Sequence, residues 1–530
     1  MSAPAATAAE PAFRYWRVAF VLMLGFTTAG LSVTVVNLAF PHIMTSLRAD
    51  LDVMQWVQTG YMIVQAVMMP SVGWLGARLG NRRLYLLSLG TFVAGSVLCG
   101  MAWDVYSLIA FRLLQAVGVG PLFPITQVIM FQSFPEEKRG LAMGISSLGF
   151  SFGPMVGPVL AGYLLEHASW RTVFYINVPV GLLGLALAYL VLPPPRGQEG
   201  RRLDLAGMGS MAAFLVCFLL AMSQGRVEGW DSPYILTLLA LAAVAGVAFV
   251  TVELRSVQPF VELRLYARLP FAMASLVVFL NTLSFMATNF VVALFLQSHL
   301  DYTPLQAAWM LMPSAVVIGA LSVVVGRLSD FVAPKLLVIF GLALVGWSLI
   351  QYATITPLTS VGTITLLLTI RGFARAFTIA PLTTAALAAL PESEVRMGSG
   401  LVSLTRGIAS TGSVTLTAAF FQHRFHQRLE LLVQEQAGLA FAPQELLQQL
   451  HAFFEQQGDF SQVAGVKALA TLHRLLESEA ALYSYHDTFI VLGAISLAAI
   501  LPALWMGKRR PARRQAPAPA PAPAARPASR

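Results

Sequence analysis

Four arginines interrupt long apolar stretches of this sequence and have the greatest potential for chemistry: Arg112, Arg371, Arg375 and Arg406. At the centre of a bilayer an arginine costs ~2.5 to 3.5 kcal/mol on insertion scales, so it usually faces a protein interior or a wet cavity. Arg371 and Arg375 share one face of a helix. All four are candidates for binding a ligand. A structural role, in which the guanidinium holds helices together, is an equally good interpretation for Arg112 and the better one for Arg406.

Uncharged polar residues on similar apolar segments are candidates for lining a substrate cavity. Asn281, Ser284 and Thr288 follow helical spacing, which raises that series above chance, and Asn289 adds a further amide. Each polar group could instead form an interhelical hydrogen bond, worth on average ~0.6 kcal/mol. The predicted lining comprises Ser32, Asn37, Tyr61, Gln65, Gln115, Asn281, Ser284 and Thr288.

Glycine and proline mark the apolar segment that follows Arg112 and ends near Gly162. Glycines at such spacing let two helices approach backbone to backbone. The Gly153-Pro154 pair is predicted to bend the helix, as a rocking helix requires. The predicted hinge therefore comprises Gly149, Gly153, Pro154 and Gly157.

Two stretches of the first half return in the same order in the second half. The pattern of 112 to 162 recurs from 369 to 407, and GWLGARLGNRR at 73 to 83 has an echo in GRLSDFVAPK at 326 to 335. Such repeats in an apolar chain are the signature of a secondary transporter built from two related halves. Asp330 and Lys335 are predicted to form a gate latch with basic residues of the neighbouring loop. The predicted gate comprises Gly73, Arg78, Gly80, Arg82 and Asp330.

Composition excludes a soluble protein. The 530 residues are 57% hydrophobic and 11% charged, with a mean hydropathy of +0.71, which indicates a polytopic membrane protein. Cys99 and Cys217 both lie in apolar segments, so neither a disulfide nor a metal site is predicted. No nucleophile–base pair or phosphate-binding loop supports an enzyme, and no cofactor is predicted. The net charge of +9 reflects membrane topology rather than nucleic-acid binding.

Fourteen segments approach the ~20 residues that cross the hydrocarbon core. Lys and Arg concentrate on the side that holds the N-terminus, so the positive-inside rule places both termini in the cytoplasm. The segments lie near 17–39, 53–75, 84–102, 105–131, 141–165, 170–192, 204–222, 233–253, 270–297, 304–326, 334–353, 359–389, 398–421 and 485–506.

The predicted domain order is two bundles joined by a connector. A cytoplasmic tail at 1–16 precedes a six-helix bundle at 17–193. The connector at 194–269 contributes two extra spans, and the second six-helix bundle covers 270–506. The tail at 507–530 is rich in Pro, Ala and Arg and is predicted to be disordered.

Within the second bundle, the external segment at 423–484 is too polar to span. Apolar residues recur there at helical spacing, which predicts an amphipathic helix over the external mouth. A lid packed on its own protein is favoured over a docking surface for a periplasmic adaptor protein. The apolar residues are Leu446, Leu447, Leu450, Phe453 and Phe454.

The chain resembles the fourteen-helix drug exporters of the major facilitator superfamily, the EmrB/QacA type (DHA2 family), over about residues 15 to 506. The matching stretches are LSVTVVNLAFP at 31–41, GWLGARLGNRR at 73–83, FRLLQAVGVG at 111–120, GFSFGPMVGPVLAG at 149–162, SWRTVFYINVPVG at 169–181, LDLAG at 203–207, PLTTAAL at 381–387 and GSGLVSLTRGIASTG at 398–412. The resemblance implies an all-α membrane protein with two pseudo-symmetric six-helix bundles and two linker helices. It also implies a bacterial inner-membrane transporter that exports amphipathic molecules or drugs by alternating access and proton antiport.

The departures from this family concern charge. Ser32 and Ala77 stand where the family commonly has aspartates, and Arg375 stands where it usually has an apolar residue. All 25 Asp and Glu residues fall in loops, tails or at span ends. An alternative is therefore a transporter of anionic or lipid-like molecules without carboxylate-based proton coupling. A non-transporting scaffold or receptor is an alternative of another class.

Overall fold

The computed structural model describes residues 10–193, 204–300, 302–356, 358–438, 442–457 and 460–507. Within these ranges the chain is almost entirely helical and contains no strand, so the predicted all-α fold is confirmed. The tail from residue 508 and the part of the predicted connector before Asp204 lie outside the described residues. The side chains of Asn37 and Pro154 also lie outside what the structure describes.

Nineteen α-helices make up the described chain. The helices before the second half are α1 (Glu10–Leu47), α2 (Leu51–Met54), α3 (Trp56–Met68), α4 (Val72–Leu79), α5 (Asn81–Gly100), α6 (Val105–Ser133), α7 (Arg139–His167), α8 (Thr172–Tyr175), α9 (Asn177–Val191), α10 (Leu205–Glu228) and α11 (Pro233–Arg255). Those of the second half are α12 (Leu269–Ser298), α13 (Pro304–Leu328), α14 (Pro334–Tyr352), α15 (Val361–Ala388), α16 (Val395–Gly438), α17 (Ala442–Gln456), α18 (Ser461–Ala498) and α19 (Ile500–Leu504). Short 3-10 turns lie at Met69–Ser71, Glu136–Lys138 and Leu263–Ala267.

The number of membrane spans is twelve by length and apolarity among the described residues, or thirteen when the bent helix α7 is included. The predicted span at 398–421 lies within α16, which is 44 residues long but rich in Ser, Thr and Gly. Helix α16 is also long enough to cross a bilayer, and counting it as a span would raise the number from thirteen to the predicted fourteen.

Helix α7 bends by 42° between Gly157 and Val159. The bend therefore lies about one turn beyond the Gly153-Pro154 pair at which the sequence pattern placed it. Position 158 is a proline, which lacks a backbone N–H, and a proline inside a helix is a common cause of a kink. The carbonyl that loses its hydrogen-bond partner belongs to Pro154, one turn earlier.

Local sequence explains where the helices start. Asp104 accepts a hydrogen bond of 2.7 Å from the Ser107 backbone, and the Ser107 hydroxyl accepts one from the Asp104 backbone, so a capping box begins α6. Hydrogen bonding by the Ser107 side chain and backbone lowers the pKa of the half-buried Asp104 carboxyl. Thr303 and Gln306 form the same device at the start of α13, where Pro304 takes the first helical position.

Apolar clusters hold the helices of each half together, and two of these clusters also include residues of the other half. In the first half α1 packs on α7 and α9, and α5 packs on α6. In the second half α12 packs on α16 and α18, and α15 packs on both α13 and α14. The α10–α11 pair contacts both halves, because α10 packs on α3 and on α16. Thr59 of α3 and Thr415 of α16 each hydrogen-bond this pair, at Ser223 and at the Met222 carbonyl.

The loops on one side of the bundle are rich in Lys and Arg, and three contacts show that they share one end. Asn81 donates to Gln132 at 2.9 Å, which joins the start of α5 to the end of α6. Arg82 donates to the Tyr189 carbonyl near the end of α9. Lys138 donates to the Tyr15 hydroxyl near the start of α1 at 2.9 Å. We call this side the basic end.

The opposite end holds the predicted external segment. This segment comprises the last part of α16, all of α17 and the first part of α18, with α17 packed on α18. Asp487 of α18 accepts hydrogen bonds from Arg424 at 2.6 Å and from Arg428 at 3.0 Å, which fastens α16 to α18. Phe453 of α17 is half exposed.

Candidate substrate-binding site

Arg112 of α6 lies in a hydrogen-bonded network inside the first half, with 2% of its surface exposed. Its Nη1 donates to Gln115 Oε1 at 2.6 Å and, more weakly, to Ser32 Oγ at 3.5 Å. Its Nε donates to the Val57 carbonyl at 3.4 Å. Gln115 is held in turn by Ser96, whose hydroxyl accepts its amide N–H at 2.6 Å. The structure thus brings together three predicted site residues, Arg112, Gln115 and Ser32.

Aromatic rings complete the surroundings of Arg112. Its guanidinium carbon lies 3.9 Å from the centre of the Tyr61 ring and 5.9 Å from that of Phe174. A cation over an aromatic face is stabilised by the ring quadrupole, more so when desolvated. Tyr61 is 1% exposed, and its hydroxyl has no hydrogen-bond partner among the described residues. Tyr61 therefore holds the arginine by its ring.

Arg371 and Arg375 of α15 face α12 in the second half. Arg375 Nη1 donates to Asn281 Oδ1 at 2.6 Å and to the Asn281 carbonyl at 3.3 Å. Arg371 Nη2 donates to Asn289 Oδ1 at 2.7 Å. Phe285 lies between the two amides, with its ring centre 4.1 Å from the Arg375 guanidinium and 5.5 Å from that of Arg371. Positions 281, 285 and 289 therefore form one face of α12 that matches the two arginines.

The second-half arginines keep unpaired hydrogen-bond donors. Nε and Nη1 of Arg371 and Nε of Arg375 are buried and have no partner among the described residues. Arg406 of α16 donates to Thr383 Oγ1 at 3.2 Å and lies near enough for its charge to repel that of Arg375. Arg371 repels Arg375 in the same way. Within the described part of the chain no ion pair involves any of the three.

Two predicted lining residues point elsewhere. The Ser284 hydroxyl donates to the Leu492 carbonyl of α18 at 3.2 Å, and the Thr288 hydroxyl donates to the Ser284 carbonyl at 2.6 Å. The three predicted lining residues therefore have different partners: Ser284 bonds to α18, Thr288 bonds within α12, and Asn281 bonds to Arg375. The sequence did not predict that Phe285 lies beside the two arginines. Its position four residues from both Asn281 and Asn289 was the available signal.

Other predicted residues of the first half are more dispersed. Gln65 of α3 is half-buried, and its carbonyl lies against Gly120 of α6, where an added Cβ would approach to 2.8 Å. Asn37 lies on α1, but its side chain is outside the described residues.

The predicted hinge glycines of α7 lie against α1. A Cβ at Gly153 would lie 2.3 Å from the Gly30 carbonyl carbon, and one at Gly157 would lie 2.8 Å from Thr34. Gly149 is opposite Met23 and Phe26. These glycines thus allow α1 and α7 of the same half to touch.

At the basic end, α7 of the first half and α13 of the second half touch at backbone distance. A Cβ at Gly140 would lie 2.1 Å from Ser329 Oγ and 2.4 Å from the Gly326 carbonyl oxygen. Asp330, 7% exposed, accepts hydrogen bonds from the backbone N–H groups of Gly140 at 2.7 Å and Leu141 at 3.1 Å. These N–H groups are at the start of α7, where the helix dipole favours a negative charge.

A related contact joins α4 of the first half to α16 of the second half. A Cβ at Gly73 would lie 2.5 Å from Met397 Sδ, and one at Gly76 would lie 3.2 Å from the side chain of Arg396. In the repeat, Gly73 corresponds to Gly326 and Ala77 to Asp330. The two contacts are therefore related, but Ala77 offers no carboxylate to the start of α16.

Three further hydrogen bonds cross between the halves at or toward the basic end. Arg139 donates to Glu392 at 2.6 Å. The Ser322 hydroxyl donates to the Gly144 carbonyl at 3.1 Å, and the Ser399 hydroxyl to the Pro124 carbonyl at 3.0 Å.

The remaining predicted gate residues act within the first half. Gly80 has a φ of +80°, which favours glycine, and it ends α4. The guanidinium carbon of Arg78 lies 5.3 Å from the centre of the Trp74 ring. Arg82 contacts the ring and the carbonyl of Tyr189.

Two related helical bundles with polar groups buried inside each, and contacts between them at one end, define a secondary transporter of the two-half class. The sequence profile of the Major Facilitator Superfamily matches residues 22–413, and the chain belongs to that superfamily. It is a multi-pass membrane transporter and not an enzyme.

Similar proteins agree with this assignment. The chain is 32% identical over 408 residues to YhcA, an uncharacterised MFS-type transporter of Bacillus subtilis strain 168, covering 77% of each chain. It is 27% identical over 478 residues to the multidrug export protein EmrB of Haemophilus influenzae, covering 90% of this chain and 92% of that protein. The predicted resemblance to EmrB-type exporters is confirmed.

A solved structure supports the fold. The human organic anion transporter MFSD10 superposes with a TM-score of 0.60 at 15% sequence identity, covering 91% of this chain and 99% of that chain. At this identity the likeness concerns the fold alone.

Proposed function

We propose that this transporter exports small amphipathic molecules by alternating access between its two halves. The single observation that carries the proposal is where the halves meet. The named hydrogen bonds between the halves lie at or toward the basic end: the Gly140 and Leu141 N–H groups donate to Asp330, Arg139 to Glu392, Ser322 to the Gly144 carbonyl and Ser399 to the Pro124 carbonyl. Hydrogen bonds and close glycine contacts of this kind can open as one unit.

We also propose an orientation in the membrane, and the relatives support export as the direction of transport. The positive-inside rule places the basic end in the cytoplasm of a bacterial inner membrane, with both termini on that side. The conformation described is then closed toward the cytoplasm. The EmrB relatives are multidrug export proteins, which supports amphipathic drugs as the substrate class.

Proton coupling distinguishes two candidate functions. Antiport is what the family resemblance implies, but the fully buried Ser32 stands where the family commonly has an aspartate, and it accepts from Arg112. The specific observation of three second-half arginines without an ion pair in the described chain favours the second candidate. In that candidate the substrates are anionic or lipid-like, and carboxylate-based coupling is absent.

The external segment at 423–484 also carries a proposal. We favour a lid over a periplasmic adaptor site, because α17 packs on α18 of the same chain. A static scaffold is disfavoured, since a scaffold has no need of a set of hydrogen bonds that closes its two halves at one end.

Transport by the purified protein in liposomes tests these proposals. A naphthalene ring bearing either a sulfonate or a trimethylammonium group would be offered with and without an imposed pH gradient. Movement of either probe faster than in protein-free liposomes supports export. Cation movement driven by the gradient favours antiport, and anion movement indifferent to it favours the second candidate. No movement of either probe contradicts the proposed function.

A further inference from the structure

We propose that Arg371, Arg375 and Arg406 form an anion-binding subsite that holds the acidic head group of an amphipathic organic anion. The inference rests on the proposed function and deepens it, because it names the charge of the substrate and the residues that bind the charged group. The ligand class is a carboxylate or sulfonate attached to an apolar body.

The first argument concerns charge. Buried charges in proteins are normally paired, because an isolated ion out of water is costly. Arg371 is 3% exposed and Arg375 is 7% exposed, and within the described chain neither has a carboxylate partner. Arg406 adds a third positive charge that repels Arg375. An anionic ligand would supply the missing negative charge.

The second argument concerns the free donors. Asn281 fixes one nitrogen of Arg375 and Asn289 fixes one nitrogen of Arg371, so both guanidinium groups are anchored. Three further nitrogens of this pair are buried without a partner in the described chain. An anchored guanidinium with free N–H groups is pre-organised for an anion, because binding then orders little.

The third argument concerns access and the apolar part of the ligand. Arg406 is only half-buried, and its neighbour Gly407 is on the side of α16 that faces the first half. A Cβ at Gly407 would lie 3.9 Å from Ala66 and from Met69 Sδ. The subsite therefore borders the seam between the halves. Phe285, beside Arg375, and Met69 offer apolar surface to the body of the ligand.

The experiment measures equilibrium binding to the full-length protein in lipid nanodiscs. The probes are 2-naphthalenesulfonate and 2-naphthyltrimethylammonium, which share an apolar body and differ in charge. The wild-type protein should bind the sulfonate more tightly. Arg375→Gln should weaken sulfonate binding by about tenfold or more, because a charge-assisted hydrogen bond in a dry site is lost. Arg255→Gln, at an exposed position on α11, is the matched control and should bind like the wild type.

Asn281→Asp provides a second test that does not depend on removing an arginine. The new carboxylate would lie where the Asn281 amide oxygen now accepts from Arg375 at 2.6 Å, so it would neutralise the site from within. We expect sulfonate binding to fall by about tenfold or more and the melting temperature to stay equal or rise. A folded Asn281→Asp protein that binds the sulfonate as tightly as the wild type would overturn the inference.

The outcomes separate this inference from the proposed function. If the wild type transports the ammonium probe but neither binds nor transports the sulfonate, the transporter proposal stands and the anion subsite is wrong. If neither probe binds or moves, the proposed function itself fails. Sulfonate binding that survives both Arg375→Gln and Asn281→Asp places the anion elsewhere and also overturns the inference.

Discussion

The two halves of this transporter each have a buried arginine at the equivalent repeat position, and the two arginines differ in how fully they are hydrogen-bonded. Arg112 in the first half and Arg371 in the second half occupy equivalent repeat positions. Arg112 donates to acceptors on α1, α3 and α6, and it lies over the Tyr61 ring. Arg371 has one acceptor, Asn289, and keeps two buried nitrogens without a partner in the described chain. A satisfied arginine holds helices together, whereas an unsatisfied one retains its capacity to bind.

The same divergence recurs where the halves meet at the basic end. The α7–α13 contact is polar, because Asp330 accepts from the first N–H groups of α7. The related α4–α16 contact places Met397 against Gly73 and has Ala77 in place of the aspartate. Both contacts thus bring two helices to backbone distance. Only the α7–α13 contact also has a carboxylate at a helix start.

The largest expected effect compares the stabilities of two arginine variants. Arg112→Leu should lower the free energy of unfolding by about 3 kcal/mol, because it leaves Gln115 and Ser32 buried with unsatisfied groups. Arg375→Leu should lower it by less than ~1 kcal/mol or raise it, because removal of a buried, uncompensated charge offsets the loss of the hydrogen bond that Asn281 accepts. Thermal unfolding of the purified variants measures the difference. Equal losses of unfolding free energy in the two variants would contradict the inference that Arg112 is satisfied and Arg375 is not.

A smaller effect concerns closure at the basic end. Gly140→Ala would push a methyl group into Ser329 and Gly326. Overpacking of this kind costs about 1 to 3 kcal/mol, so the closed population should fall. Distances between spin labels at Glu137 and Phe331, both exposed, report the closure. Gly162→Ala in the same helix has nothing within 4 Å of the added carbon and should leave the distances unchanged.

A separate variant tests the charge of Asp330 in the α7–α13 contact. Asp330→Asn keeps the shape of the side chain but removes the charge that faces the start of α7. We expect closure to weaken by about 1 kcal/mol. The same label pair measures the change, with Asp52→Asn at an exposed position as the control. An unchanged distance distribution would mean that glycine packing alone closes this end.

The smallest effect is a gain at the apolar contact. Ala77→Asp would place a carboxylate near the start of α16, as Asp330 does for α7. We expect closure to strengthen by ~0.3 to 1 kcal/mol, since burial of the new charge offsets part of the dipole interaction. Spin labels on the loops that precede α5 and α16 would show a narrower distribution. A broader one would contradict the equivalence of the two contacts.

The sequence by itself determined the class of the protein. Its apolar composition required a membrane, its repeats required two related halves, and the EmrB-type stretches identified the superfamily. The cost of burying an arginine also singled out the four residues that proved to be buried or half-buried. These properties depend on composition and on the order of residue types, which the sequence states directly.

The tertiary structure decided which groups meet. Helical spacing predicted a polar stripe at Asn281, Ser284 and Thr288, but α15 approaches one side of that stripe and α18 the other. Asp330 accepts from backbone N–H groups at the start of α7, which no motif of side chains could indicate. Whether Arg112 or Arg375 is satisfied depends on acceptors supplied by other helices. Hydrogen bonds act over about 3 Å, and only the packing of distant segments sets distances on that scale.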